Sequence, residues 1–150
     1  MPTTVEALHK LLSDCAGGHV HAVLPPGVHW ALAGTPFLLA RCNATVESYS
    51  EPPATLDGEG QSRIFDVAEG ASLKLLRLNV INCATQRSCI SHCSGGCVRS
   101  DGASVVMEQL TVRNARALDE YGAGAGGLIY AAHSSVTVTH VVVEGTAANA

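Results

Sequence analysis

GASLKLLRLNVIN, residues 70–82, returns as GASVVMEQLTVRN at 102–114 and as HSSVTVTHVVVEG at 133–145, at offsets of 32 and then 31 residues. Superposing the copies puts Leu73, Val105 and Val136 in one column, then Leu75, Met107 and Val138, then Leu78, Leu110 and Val141, then Val80, Val112 and Val143. Every member is apolar. Within each copy the apolar positions lie two, three and two residues apart. A strand shows the same face at every second residue, so this spacing describes two short strands meeting at a corner that absorbs one extra residue while the apolar face stays inward. Self-similarity at such a period marks stacked coils, each burying its face against the next.

The repeat is not helical, because its segments alternate and are rich in Val, Thr and Leu, whereas helical repeats need apolar residues at i, i+3, i+4 and i+7. A leucine-rich repeat also fails, since Ile81 stands where Asn is required and Glu108 where Leu is. The remaining reading is a strand solenoid in which like residues stack about 4.8 Å apart in parallel ladders. Arg113 and Glu144 then share an outward column and are expected at ion-pair distance.

Outward from the repeats, Ile64-Phe65-Asp66-Val67, Gly96-Cys97-Val98-Arg99 and Gly127-Leu128-Ile129-Tyr130 give each coil a third strand, with Cys97 opposite Phe65 and Leu128. Residues 63–145 form the regular coils and residues 20–60 the irregular first ones, where copy-to-copy register is poor. Before them, Thr3-x-x-Glu6 has capping-box spacing, and Val5, Leu8, Leu11, Leu12 and Cys15 recur at helical intervals until Gly17-Gly18. A helix over 4–16 is expected to close the core at that end. The chain is read as one domain over 1–150. The third copy runs out at Gly145 with no second cap behind it, so a fragment of a longer solenoid is expected, with further coils or self-association covering its last edge.

A net charge of −4, from 9 basic and 13 acidic residues, gives no electrostatic case for nucleic acid or an anionic membrane surface. No apolar run reaches the length of a membrane span, and residues 1–20 carry Glu6, His9, Lys10 and Asp14, unlike a signal peptide. Of the six cysteines, Cys83, Cys89, Cys93 and Cys97 crowd into one stretch while Cys15 and Cys42 stand alone. Disulfides, free thiols and a zinc site on Cys83, Cys89, His92 and Cys93 all fit the crowded set. One sequon, Asn43-Ala44-Thr45, bears on a secreted protein only.

The helical cap, the P-P-G turn at 25–27, T-L-D-G-E-G at 55–60 followed by R-I-F-D-V, and three-strand coils separated by G-G resemble the right-handed parallel β-helix of the pectin lyase-like superfamily. G-G-L-I-Y and the strands ending in Asn82 and Asn114 are similar to repeats of adhesin-like and polymorphic outer-membrane-type surface proteins. The resemblance implies an all-β solenoid with an N-terminal helical cap, an extracellular or surface location, and a polysaccharide or cell-surface ligand. It is specific for fold and weak for activity, since one fold hosts lyases, hydrolases and structural coils.

Catalytic residues are not expected. A glycoside hydrolase needs two carboxyls about 5–9.5 Å apart, and the N-T-D, D-D, G-H-G and R-x-K motifs of the superfamily's polygalacturonases do not occur here. Asp14, Asp57, Asp66, Asp101 and Asp119 read as isolated. Under the alternative, the N-terminal part of a polysaccharide lyase or hydrolase, Arg87, Arg116, Asp119 and Glu120 on the two long loops are the candidates. Gly122-Ala-Gly124-Ala-Gly-Gly127 formally matches a dinucleotide fingerprint, but a Val/Thr strand and not a helix follows, so no cofactor is expected. The outward columns carry no Thr ladder, which excludes an ice-binding face, and His19, His21 and His29 show no acidic partner at ligand spacing.

Overall fold

The computed structural model describes residues 2–84, 96–117, 127–145 and 147–148. A single described helix, α1 (Val5–Ser13), precedes the strands. These are β1 (His19–Leu24), β2 (His29–Ala31), β3 (Phe37–Leu39), β4 (Asn43–Ser48), β5 (Ala54–Asp57), β6 (Phe65–Val67), β7 (Ser72–Leu76), β8 (Leu78–Ile81), β9 (Val98–Asp101), β10 (Ser104–Glu108), β11 (Thr111–Arg113), β12 (Arg116–Ala117), β13 (Ile129–Ala132), β14 (Ser135–Thr139), β15 (Val142–Glu144) and β16 (Ala147–Ala148). They form three parallel sheets that the chain visits in rotation. The first is β1-β4-β7-β10-β14, the second β2-β5-β8-β11-β15 and the third β3-β6-β9-β13, with β12 and β16 pairing separately.

The repeat columns are ladder rungs. Leu73 pairs with Val105 and Val105 with Val136; Leu75, Met107 and Val138 follow, as do Val80, Val112 and Val143. Arg113 lies beside Glu144 in register, with Nε 3.4 Å from Oε2. Both side chains are more than half exposed, so solvent screening leaves that pair worth about 0–1 kcal/mol. Val136, Val138 and Val143 are 37, 52 and 40 % exposed, against 0, 1 and 0 % for Val105, Met107 and Val112, because no further described strand covers β14 and β15.

The first circuits pass through the same three sheets as the later ones. Their lengths differ: His19 pairs with Asn43, Asn43 with Ser72, Ser72 with Ser104 and Ser104 with Ser135, giving circuits of 24, 29, 32 and 31 residues. The third sheet corrects one alignment, since Phe65 pairs with Val98 and not with Cys97, a shift of one residue. Several corners turn on a left-handed residue. Arg77, Gln109 and His140 (φ 53°, 55° and 52°) link the first sheet to the second, and Asn82, Asn114 and Gly145 (φ 53°, 56° and 64°) leave the second. Gly96, at the start of the third-sheet strand β9, is required for a different reason. A Cβ there would strike the carbonyl oxygens of Gly127 and Arg116, so the close approach of backbone and not a special φ demands glycine.

The helix is shorter than 4–16, and its N-cap is Thr4, not Thr3: the Thr4 hydroxyl accepts from the Ala7 amide at 3.0 Å. Leu8, Leu12 and Cys15 are buried against the strand circuits, while Leu11 faces out. His9 stacks on Phe37 at 4.3 Å between ring centroids. Burial holds the His9 imidazole below its ordinary 6.5, against the opposing pull of Glu6 and a hydrogen bond with the Thr35 backbone. With the folded value below the unfolded one, the unfolded chain binds more protons in the window beneath pH 6.5, so this contribution to stability is lost as pH falls through that window. Thermal unfolding of wild type and His9→Gln on both sides of pH 6.5 checks this. The midpoint of wild type is expected to fall more steeply on acidification than that of His9→Gln; parallel declines would refute the assignment.

Candidate functional site

The outward face of the third sheet gathers the charges that read as isolated in sequence. Strand alternation sends Phe65, Val67 and Val98 inward and leaves Leu38, Asp66, Arg99 and Tyr130 in one outward column. Asp66 Oδ1 lies 3.7 Å from Arg99 Nη1, and its other oxygen 3.8 Å from Arg63 Nη1. Arg99 Nη2 reaches Asp101 Oδ2 at 3.9 Å, and Asp101 Oδ1 faces His133 Nδ1 at 3.7 Å. The side chains of Arg63 and Arg99 are largely buried, and their guanidinium groups meet carboxylates. Burial, opposed by Asp66 and reinforced by Arg99, lowers the pKa of Arg63, although a guanidinium stays charged throughout the physiological range.

This network borders two depressions. One, of about 360 Å³, is lined by Ala68, Glu69, Arg99, Asp101, Gly102 and His133. The other, of about 460 Å³, lies toward α1 and includes Leu12, Leu38, Ala40, Asp66 and Ala68. Ala68 lines both, and the arrangement offers fixed donors and acceptors beside an apolar shelf. Side chains at Asp66 and Asp101 are 27 and 51 % exposed.

No protein-family model, curated protein or solved structure matches this chain. The site therefore rests on its own geometry.

Of the four catalytic candidates, only Arg116 is described. It lies exposed on β12, its amide donating to the Cys83 carbonyl at 2.8 Å. Arg87, Asp119 and Glu120 fall outside the described residues, as do Cys89, His92 and Cys93 of the metal candidates. Cys83 is bonded to Cys97, with Cα atoms 4.9 Å apart, so its sulfur is not a thiolate ligand. Among the described residues no cluster of His, Cys, Asp and Glu has the makings of a metal site. Cys15 and Cys42 do not stand alone: they form a disulfide across 27 residues of sequence, tying the segment after α1 to the start of the second circuit. No described helix is long and apolar enough to cross a membrane.

The histidines also have partners that their sequence neighbourhood conceals. His21 Nε2 meets Glu47, which also takes Arg77 Nη2 at 2.8 Å. His29 Nε2 lies 2.7 Å from Asp57 Oδ2. Asp57, at the D-G-E-G turn, accepts from the Glu59 amide and the Asn82 side chain, and Asn82 in turn accepts from Asn114 at 3.2 Å. The strand-ending asparagines thus form a polar ladder along one corner. Apart from the local Glu59 amide, these partners are one circuit apart, so the signal was a complementary residue at the circuit offset and not at a local spacing.

Proposed function

We propose that the chain is a right-handed parallel β-helix, a non-catalytic binding module of a surface or extracellular protein, whose hydroxyl-rich polysaccharide ligand lies along the outward face of the third sheet. The rotation of the chain through three parallel sheets and the helix across one end support the fold, as does the strong preference of parallel crossovers for the right hand. The observation that carries the binding reading is the depression beside Arg99. There Asp101, at the end of β9, and Glu69 and His133, in the turns beside it, present polar groups, and convergent polar groups on a preformed concave surface suit ligand recognition. The compartment reading draws support from Cys15–Cys42 and Cys83–Cys97, because such bonds persist in oxidising surroundings. A further coil of the same design is the natural cover for Val136, Val138 and Val143.

Affinity electrophoresis through gels containing neutral or acidic plant-type polysaccharides tests the proposal. At least one polysaccharide is expected to retard the protein. The double substitution Asp101→Ala, His133→Ala should weaken retention about tenfold or more, since losing a hydrogen bond to a charged group costs about 1.5–3 kcal/mol. Absence of retardation by every polysaccharide would leave a structural coil only, and release of reducing ends or unsaturated sugars would establish the enzyme alternative.

A further inference from the structure

The outward face of the first sheet carries a feature that the binding reading leaves unused. Asn43 opens β4, and the strand period of two brings Thr45 to the same outward face while Ala44 and Val46 point into the core. The Asn43 backbone is fixed, its amide donating to the Gly18 carbonyl at 3.0 Å, but its side chain is exposed and makes no hydrogen bond among the described residues. On the ladder it lies between His19 and Ser72, and Ser104 and Ser135 continue the row, so the surface beside it is low and hydroxylated. Thr45 is half-buried and Asn43 is exposed.

We infer that Asn43 is an N-glycosylation site, with the first sheet as the glycan-bearing face and the third sheet as the ligand-bearing one. The inference rests on the extracellular reading, because transfer takes place only on chains that enter a secretory compartment. In the reaction the Asn43 carboxamide nitrogen attacks C1 of the first sugar of a lipid diphosphate-linked oligosaccharide. The C1–N bond forms as the C1–O bond breaks, the lipid diphosphate leaves with the electron pair, and the amide proton passes to a base of the transferase. The product fits the folded chain without rearrangement. The side chain that receives the sugar supports no other group, and its neighbours on the ladder are an exposed imidazole and a small hydroxyl.

The test is secretion of the 150-residue chain from a eukaryotic cell, followed by peptide N-glycosidase treatment and mass spectrometry of intact protein and peptides. The expected result is a glycan on Asn43, lost in Asn43→Gln and Thr45→Val and retained in Thr45→Ser. All three variants are expected to fold as wild type does, since Thr45→Val keeps a β-branched residue in the strand. Secreted, folded protein with a bare Asn43 would overturn the site. Thiol counting on the same material reads the other proposition separately: Cys15, Cys42, Cys83 and Cys97 found reduced would overturn the extracellular reading, whatever Asn43 carries.

Discussion

Leu110→Asp is expected to abolish soluble folded protein, whereas Thr111→Asp, one residue on, is expected to cost about 1 kcal/mol or less. Leu110 is 2 % exposed and follows the left-handed Gln109, which turns the chain from β10 toward β11 and aims the next side chain into the core. It joins Leu75, Val80, Met107, Val112 and Leu128 around a small apolar cavity. A carboxylate there would have neither water nor a cationic partner, a penalty of about 4 kcal/mol or more that exhausts much of an ordinary domain's stability. Thr111 is only half-buried, as is its column neighbour Asn79, and its other neighbour, Val142, is exposed. Soluble yield and urea unfolding of the two variants distinguish them; equal losses would mean that the corner does not divide inside from outside as described.

Gly58→Ala is the second substitution expected to act strongly. A Cβ at Gly58 would lie 2.5 Å from the Ser62 carbonyl oxygen, 2.8 Å from that of Asn82 and 2.9 Å from Cys83 Cα. All three are backbone atoms, so none can swing aside as a side chain would. Relief requires the D-G-E-G turn to part from the following circuit, where Gly58 donates to Ile81 and Gly60 to Asn82. A loss of about 2–4 kcal/mol is expected. Gly17→Ala is the comparison: φ is 79° but nothing lies within 4 Å of the added carbon, so only the left-handed backbone penalty of about 1–2 kcal/mol applies. Urea midpoints give the ranking, and a Gly58→Ala variant as stable as Gly17→Ala would show that the turn has slack.

Legibility in sequence followed circuit length. Residues 70–145 could be read because two successive offsets, 32 and 31, are nearly equal, and column after column then agreed with the observed ladders. Residues 19–67 build the same three-sheet circuit, but offsets of 24 and 29 defeat any fixed-period superposition. The excursion over residues 49–53 separates β4 from β5 in one circuit, while Arg77 alone separates β7 from β8 in the next. The candidate site suffered from the same cause. Asp66 and Arg99 are 33 residues apart, one more than the offset in the neighbouring sheet, so the pair was invisible to an alignment made on the first two strands. Cys15 and Cys42 likewise looked solitary because their meeting depends on a short first circuit.

The Cys83–Cys97 bond joins the end of the second-sheet strand β8 to the start of the third-sheet strand β9, within a single circuit. Two separate covalent routes therefore connect those strands, one through the sulfurs and one through the 13 intervening residues. Cleavage of a peptide bond anywhere from 84 to 96 leaves the halves of the molecule linked, and replacement of that segment by a longer one adds a side branch without lengthening the route by which the core circuit closes. The covalent continuity of the scaffold therefore does not depend on the length of chain between the two cysteines.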